Sequence, residues 1–317
     1  MTKGRNAEYT KEYNRKVVLR LLREKPVSRA ELARLTGLTR AATSLIAAEL
    51  LEAGVIRELA PEGAGRGRSG IPLTVCPDKY YAVSICLERE ACEVGICDFA
   101  GTPFVRQKLP PQACTMEEVI SRIEQILANC DRKRVLGIGI CAPGPLDAER
   151  GVILNPTGFD QWHGIEVASR LSEWFSLPAY LENVAMSLAM HQMRMSGNRN
   201  FLLLLVEQGI GSGVITNGRP LCVSKHFNCE LGHTSIRYDG RQCECGNRGC
   251  LELYASMPNL LRGTQFSSWK AVIDALGTVP EAESLLRREA LYLTAGIVNM
   301  LNMVEVDTVY LAGDIRY

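Results

Sequence analysis

The chain lacks any apolar run long enough to span a lipid bilayer, and its charged N-terminus lacks the apolar core of a secretory signal peptide. The first absence excludes helical membrane spans, and the second favours a cytoplasmic protein. Twelve cysteines in such a chain predict reduced thiols and a metal site, because disulfides form mainly in secreted proteins. With 317 residues, of which 46% are hydrophobic, the chain is long enough for two or three folded domains.

The net charge of only +1 hides an uneven distribution along the chain. Residues 1–75 contain 14 Lys and Arg against 8 Asp and Glu, a balance of +6. The remainder contains 22 against 27, a balance of −5. A basic segment attached to an acidic one predicts that only the N-terminal part meets a polyanion.

The most specific pattern is a cluster of thiols in the stretch 228–252. Three cysteines share a short loop with two glycines, and a histidine lies one short hairpin upstream. Zinc prefers four thiolate and imidazole ligands in a tetrahedron, and glycines let a loop curl tightly enough to bring several thiolates to one ion. The alternative is three reduced cysteines in an ordinary turn. Because four protein ligands leave no open position for water, we expect a structural zinc ion held by His233, Cys243, Cys245 and Cys250.

The same stretch resembles the signature of the ROK family (repressors, open reading frames and sugar kinases). The family pattern G-E-x-G-H is matched by Glu230 to His233, with Cys229 in place of the first glycine. The pattern C-x-C-G-x-x-G-C-x-E is matched in full by Cys243 to Glu252. The resemblance implies an α/β body with the two-lobed actin-like ATPase fold of the family and a ligand cleft between its lobes.

The segment 1–76, called the head below, carries the pattern of a helix-turn-helix. Apolar residues recur at helical spacing from Arg15, and residues 1–14 are expected to be frayed. Ser28 with Glu31 three residues later is a capping box, and Thr39 caps a further helix after a short turn that contains glycine. We expect the helix after Thr39 to enter the major groove of DNA.

Two short apolar runs, 55–59 and 71–75, predict the strands of a wing beside these helices. The glycine-rich tip between them carries two arginines suited to phosphate contact or minor-groove insertion. The alternative is a helical bundle with a loose loop. The head resembles that of ROK repressors, including the run Arg29 to Leu38, whereas ROK sugar kinases lack it. The expected DNA contacts are Arg29, Thr39, Arg40, Thr43, Ser44, Arg66 and Arg68.

Beyond the head, apolar runs alternate with helical patterns, which predicts an α/β architecture of two similar lobes. We expect the first lobe to cover residues 77–184 and the second to cover residues 185–317. Family members usually continue through further helices after the position of Gly313. The second lobe is therefore expected to be incomplete at its C-terminus.

Phosphoryl transfer from ATP needs a phosphate cradle and a general base near the attacking hydroxyl. ROK kinases have a glycine-containing turn after the first strand, where this chain has Leu87 to Glu90 and no glycine. The catalytic aspartate of the family follows a Glu-Asn pair, and this chain has Val184 at that position. Valine cannot accept a proton. A glycine turn is kept at 209–213, but such a run often serves only close backbone packing. We expect no kinase activity.

The resemblance places five residues at positions that contact sugar hydroxyls in the family. Asn and Glu side chains supply the convergent donors and acceptors that a polyol needs. His233 would bind zinc through one ring nitrogen and face the cleft with the other. The alternative is that the glutamates are surface or capping carboxylates. The expected sugar contacts are Asn155, Asn183, Glu230, His233 and Glu252.

Together these patterns favour a sugar-responsive transcriptional regulator, most simply a repressor. Its expected partners are double-stranded operator DNA and a sugar or sugar phosphate, and no membrane is involved. We expect a homodimer or higher homo-oligomer, because one small head rarely binds DNA tightly enough alone. The alternatives are an active ROK sugar kinase with an appended DNA-binding head, and a scaffold that binds another protein through its zinc loop.

Overall fold

The computed structural model describes residues 7–60, 70–89, 91–110, 114–221 and 229–316. The chain divides into two compact units. One consists of Met1–Ile85, Glu93–Leu109 and Glu117–Ile138, and the other of Cys86–Cys92, Pro110–Met116 and Gly139–Tyr317. The lobe boundaries after residues 76 and 184 stay a prediction. Within the described ranges, no helix is both long and apolar enough to cross a bilayer.

The described part of the head contains three helices and three short strands. The helices are α1 (Ala7–Glu24), α2 (Arg29–Thr36) and α3 (Arg40–Glu52), and the strands are β1 (Val27–Ser28), β2 (Ile56–Glu58) and β3 (Pro72–Val75). Strand β3 pairs antiparallel with both β1 and β2. Both predicted caps are confirmed, because Ser28 Oγ accepts a hydrogen bond from the Glu31 N–H at 3.3 Å and Thr39 Oγ1 accepts one from the Ala42 N–H at 3.2 Å.

Helix α1 begins at Ala7, so the prediction of fraying was wrong for residues 7–14, whereas residues 1–6 lie outside the described residues. Two cations on its early turns bind Glu49 of α3. Lys11 Nζ lies 2.6 Å from Glu49 Oε1, and Arg15 Nε donates to Glu49 Oε2 at 2.9 Å. The hydrogen bonds from Lys11, and then those from Arg15, lower the pKa of the Glu49 carboxyl. These ion pairs hold the polar start of the helix to the rest of the head, which the apolar periodicity alone does not reveal.

The rest of the chain alternates strands and helices, as predicted for an α/β protein. Its strands are β4 (Tyr81–Leu87), β5 (Cys92–Asp98), β6 (Pro103–Leu109), β7 (Val135–Ala142), β8 (Leu146–Asp147), β9 (Val152–Ile153), β10 (Ala179–Asn183), β11 (Phe201–Val206), β12 (Ile210–Thr216), β13 (Arg219–Pro220) and β14 (Thr308–Gly313). Its helices are α4 (Met116–Leu127), α5 (Val167–Phe175), α6 (Val184–Ser196), α7 (Glu252–Ala255), α8 (Met257–Leu261), α9 (Trp269–Asp274) and α10 (Pro280–Leu301). The larger sheets have the orders β10-β7-β4-β5-β6 and β13-β12-β11-β14, and β8 pairs with β9.

Strand β11 lies inside the four-stranded sheet, and every one of its residues is buried. It pairs antiparallel with β12 and parallel with β14. The glycine run 209–213 was predicted as a turn, but the structure places Ile210 to Gly213 inside β12. Helix α6 packs so closely on this strand that a Cβ at Gly213 would lie 2.6 Å from that of Ala189. Close packing therefore accounts for the glycine at this position.

Candidate metal centre and adjoining pocket

Four side chains of the second unit bring their ligand atoms together, and they are the predicted Cys₃His set. All of these atoms lie within 4.8 Å of one another. The Sγ of Cys243 lies 3.7 Å from Nδ1 of His233, and the Sγ of Cys245 lies 3.7 Å from that of Cys250. Thiolates at about 2.3 Å from a central zinc ion are roughly 3.8 Å apart, because that is the edge of such a tetrahedron. The donor set and its spacing therefore fit a tetrahedral zinc ion.

The loop that carries the cysteines is closed by its own backbone and by one asparagine. The Cys243 N–H donates to the Asn247 carbonyl at 2.8 Å, and Nδ2 of Asn247 donates to the His233 carbonyl at 2.9 Å. Gly249 has a φ of 65°, and a Cβ there would overlap the carbonyl oxygen of Arg237. Only glycine fits this position, so the loop is specified by its glycine as well as by its ligands.

Burial raises the pKa of the Cys243 and Cys250 thiols, because an apolar environment penalises the charged thiolate. A divalent cation at the centre of the four ligands would stabilise the thiolates and lower these pKa values. A site of thiolate sulfur and imidazole nitrogen favours zinc, whereas magnesium and calcium favour oxygen ligands. The chemistry of the donors therefore agrees with their geometry.

A cavity of about 530 Å³ adjoins this cluster, and His233 and Cys245 belong to its wall. It lies within the second unit. All five residues predicted to contact sugar line it: Asn155, Asn183, Glu230, His233 and Glu252. The sequence places these residues on separate segments, and the fold brings them to one cavity.

Asn183 is positioned by its place at the end of β10, where it caps α6. Its Oδ1 accepts hydrogen bonds from the N–H groups of Ala185 at 2.8 Å and Met186 at 3.4 Å. Its Nδ2 lies beside Gly144, 2.9 Å from the position that a Cβ there would take, and Oε1 of Glu230 lies 3.3 Å from the same point. An amide donor and a carboxylate acceptor thus converge on one wall of the cavity.

The Glu230 side chain is half-buried, and this desolvation raises the pKa of its carboxyl. The charge of His233 acts in the opposite direction, whereas that of Glu252 raises the pKa further. Glu252 begins α7, and its Oε2 accepts a hydrogen bond from the Ile210 N–H at 3.0 Å. Both glutamates are therefore half-buried and line the cavity, and their contact with a sugar stays a prediction.

Glu207 also lines the cavity and was not predicted from the sequence. Burial raises the pKa of Glu207, and the nearby charges of Glu88 and Asp314 raise it further. Arg89 is the only Arg or Lys among the described residues that line the cavity, and its Nε donates to the Thr157 carbonyl at 2.8 Å. One signal was available, because Glu207 directly follows a buried strand, and ligand sites often lie at the carboxyl ends of strands.

Two features expected to disable phosphoryl transfer also face this cavity. Leu87, Glu88, Arg89 and Val184 all line it. The absence of a glycine turn and of a general base at these positions stays a prediction from the family resemblance.

Most of the expected DNA contacts in the described part of the head lie around the start of α3. Arg40 and Ser44 are exposed there, and Thr39 provides the N-cap. Thr43 is fully buried, and its hydroxyl donates to the Thr39 carbonyl at 3.1 Å. The expectation of a DNA contact from the Thr43 side chain was therefore wrong, because this position faces the core of the head.

Arg29 has a structural partner. Its guanidinium lies 2.7 Å from Oε1 of Glu58, which joins the start of α2 to β2. Arg66 and Arg68, the two arginines of the predicted wing tip, lie outside the described residues. Contacts of these three arginines with DNA stay a prediction.

Known repressors are similar to this chain in sequence. The xylose repressor of Bacillus subtilis (strain 168) is 28% identical over 326 residues, covering 97% of this chain and 83% of the repressor. The DNA-binding transcriptional repressor Mlc of Escherichia coli (strain K12) is 29% identical over 266 residues, covering 80% of this chain and 66% of Mlc.

Solved structures agree with the predicted fold class. A ROK family transcriptional regulator described as a homologue of E. coli Mlc superposes with a TM-score of 0.79 at 25% identity, over 96% of this chain and 84% of the other. A ROK hexokinase from Thermus thermophilus gives a TM-score of 0.62 at 27% identity, over 74% of this chain and 81% of the other. These likenesses confirm the α/β, actin-like fold of the body. Residues 83–317 match the ROK family model, so the chain belongs to the ROK family.

Proposed function

We propose that the chain is a sugar-responsive, DNA-binding transcriptional regulator that represses carbohydrate genes and has no kinase activity. The observation that carries the proposal is the combination of two features in one chain. The head presents a helix whose N-terminal half exposes Arg40, Ala41, Ser44 and Leu45. The second unit holds a sugar-type pocket in which Val184 stands in place of a base.

The geometry of the head supports DNA binding. Helices α2 and α3 are joined by a short turn at Gly37, whose φ is 70°, and β2 and β3 form an antiparallel pair beside them. This arrangement supports a winged helix-turn-helix, in which the second helix would enter the major groove. The basic balance of the head and the names of the relatives, xylose repressor and Mlc, support the same function.

The pocket supports recognition of a polyol. Asn183 and Glu230 offer a donor and an acceptor beside Gly144, as the hydroxyl groups of a sugar require. In this proposal a structural zinc ion on the Cys₃His cluster holds the adjoining wall in place. His233 binds the ion and orients the pocket, and no step of sugar recognition requires the ion to contact the sugar.

A sugar acts as an effector only if it binds the DNA-competent and the DNA-free states with different affinities. If two heads bind a two-fold operator together, DNA binding becomes sensitive to a shift between these two states. We therefore propose a homodimer or higher homo-oligomer. We also propose that the protein acts in the cytoplasm.

The likeness to a ROK hexokinase favours one other function, an active sugar kinase with an appended head. The side chain of Val184 argues against it, because losing a general base typically removes a factor of about 10² to 10⁴ in rate. Coupled detection of ADP release with a panel of pentoses and hexoses distinguishes the two functions.

The proposal is tested by selecting duplexes from a random DNA library with the purified chain and measuring gel shifts with and without free sugars. We expect one operator-like sequence to be enriched and one class of sugar to release it. Failure to enrich any sequence would refute the DNA-binding function. Enrichment without a response to any sugar would refute the effector function and leave the head as a DNA-binding module.

A further inference from the structure

Half of the exposed side chains on the outward face of α3 are small. Burial of Thr43, Ile46, Ala47 and Leu50 in the head core fixes the orientation of this helix. The exposed residues recur at helical spacing and are Arg40, Ala41, Ser44, Leu45, Ala48 and Glu52. In the N-terminal half of the helix, which reaches base edges, Arg40 and Ser44 are the polar residues of this face.

Leu45 is the large apolar side chain of this face, and 59% of it is exposed. Ala41 lies one turn before it and Ala48 one turn after it, so Leu45 extends beyond its neighbours along the helix. A single exposed leucine is ordinary in a soluble protein. Its position as the sixth residue of α3 is informative, because the N-terminal residues of the second helix reach base edges.

The charges around this face favour a polyanion as its partner. Glu49, one turn after Leu45, is bound by Lys11 and Arg15 and does not present a free carboxylate. Arg40 is exposed at the start of the helix and has no ion-pair partner within the described part of the chain. Glu52 lies at the other end of the helix, away from the half that reaches base edges. With the +6 balance of residues 1–75, these charges fit DNA.

Building on the proposed DNA-binding function, we propose that Leu45 reads thymine in the operator by packing against its C5-methyl group in the major groove. A leucine side chain neither donates nor accepts hydrogen bonds, so it cannot distinguish the polar groups of base edges. The thymine methyl is the apolar group that the major groove presents. Leu45 therefore selects a T·A pair at the position it faces, and Arg40 and Ser44 supply the polar contacts nearby.

The test uses the full chain and an operator that it has itself selected from random duplex DNA. Each thymine of one half-site is replaced in turn by deoxyuridine, which keeps base pairing and removes only the C5-methyl group. At constant salt, we expect one replacement to weaken wild-type binding about fourfold, which corresponds to about 0.8 kcal/mol. The same replacement is expected to leave the affinity of the Leu45→Ala protein unchanged.

Leu35→Ala is the matched control, because Leu35 is an exposed leucine of the head on α2. This variant is expected to keep the wild-type response to deoxyuridine, and thermal melting checks that both variants fold. The proposal is overturned if no replacement affects the wild-type protein, or if Leu45→Ala keeps the full loss. A Leu45→Ala protein that only dissociates into monomers, with its deoxyuridine response intact, also overturns it. Failure to select any sequence refutes the DNA-binding function itself and is a separate result.

Discussion

The carboxylate of Glu252 accepts a hydrogen bond from the backbone N–H of Ile210, with 3.0 Å between Oε2 and the nitrogen. Glu252 follows the metal-ligand candidate Cys250 by two residues, and Ile210 begins β12. This bond ties the cysteine loop to the strand that forms part of the pocket wall. Substitutions in the cysteine loop should therefore also change the geometry of the pocket wall.

Removing one ligand of the Cys₃His cluster should weaken both metal binding and sugar binding. We expect wild-type protein to contain about one zinc per chain, and Cys245→Ser to contain clearly less and to melt roughly 5 °C lower or more. Metal analysis and thermal melting measure these effects. Cys130→Ser is the control, because Cys130 lies outside the cluster. A wild-type protein without zinc, or a Cys245→Ser protein with unchanged metal content and sugar response, would contradict the role of the site.

The two loop glycines should respond differently to alanine. Both have positive φ, 92° at Gly246 and 65° at Gly249, so each substitution costs about 1–2 kcal/mol in backbone strain. Only at Gly249 does the added Cβ overlap a backbone atom, the Arg237 oxygen, whereas the space around Gly246 is open. We expect Gly249→Ala to lose zinc and Gly246→Ala to retain it. Equal zinc content in the two variants would argue against this packing constraint.

The stability of the protein should fall as pH rises because of Glu289. This side chain is 1% exposed on α10, neither carboxylate oxygen has a hydrogen-bond partner in the described structure, and burial raises its pKa to about 8. Arg288 acts in the opposite direction. Between the ordinary pKa of about 4.5 and pH 8, the folded protein keeps a proton that the unfolded chain releases. Stability is therefore greatest below this window and is lost as pH rises through it.

The loss of stability with rising pH is measured by denaturant unfolding of wild type and Glu289→Gln from pH 5.5 to 8.5. We expect the free energy of unfolding of the wild type to fall by on the order of 1–3 kcal/mol more than that of the variant over this range. Glu283→Gln, a change at an exposed position of the same helix, should behave as wild type. If the free energy of unfolding changes with pH in the same way for wild type and Glu289→Gln, the Glu289 carboxyl does not stay protonated in the folded protein.

The pocket should prefer a free sugar to its phosphate ester. Among the described residues, one guanidinium lines it, that of Arg89, which already donates to Thr157. Six carboxylates line it in the same part of the chain: Glu88, Glu207, Glu230, Glu244, Glu252 and Asp314. This excess of negative charge repels an anion, so we expect the ester to bind at least about tenfold more weakly. Calorimetry with the sugar identified in the effector screen and its phosphate measures the difference.

Replacing Glu207 with glutamine should reduce the difference in affinity between the free sugar and its phosphate ester, because it removes one negative charge from the pocket wall. Glu173→Gln serves as the control, since Glu173 is exposed on α5 and does not line the pocket. Tighter binding of the phosphate ester than of the free sugar to the wild-type protein would show that the carboxylates do not set this preference.

Features formed by residues close together in the sequence could be predicted from the sequence. The spacing of Cys243, Cys245 and Cys250 around two glycines predicted a cluster of thiols, and these atoms do meet at metal-site distances. Ser28 and Thr39 were predicted as caps, because a capping bond reaches only two or three residues. The alternation of strands and helices was likewise sufficient for the α/β class.

Features that depend on segments far apart in the chain were decided only by the tertiary structure. Thr43 and Leu45 are two residues apart on one helix, yet packing against the head core buries the first and leaves the second exposed. Glu88, Glu207 and Asp314 follow or end different strands, and only the fold brings their charges close enough to interact. Helical periodicity and residue type define which side chains share a face. Which face is covered, and which carboxylates become neighbours, depends on long-range packing that local pattern does not encode.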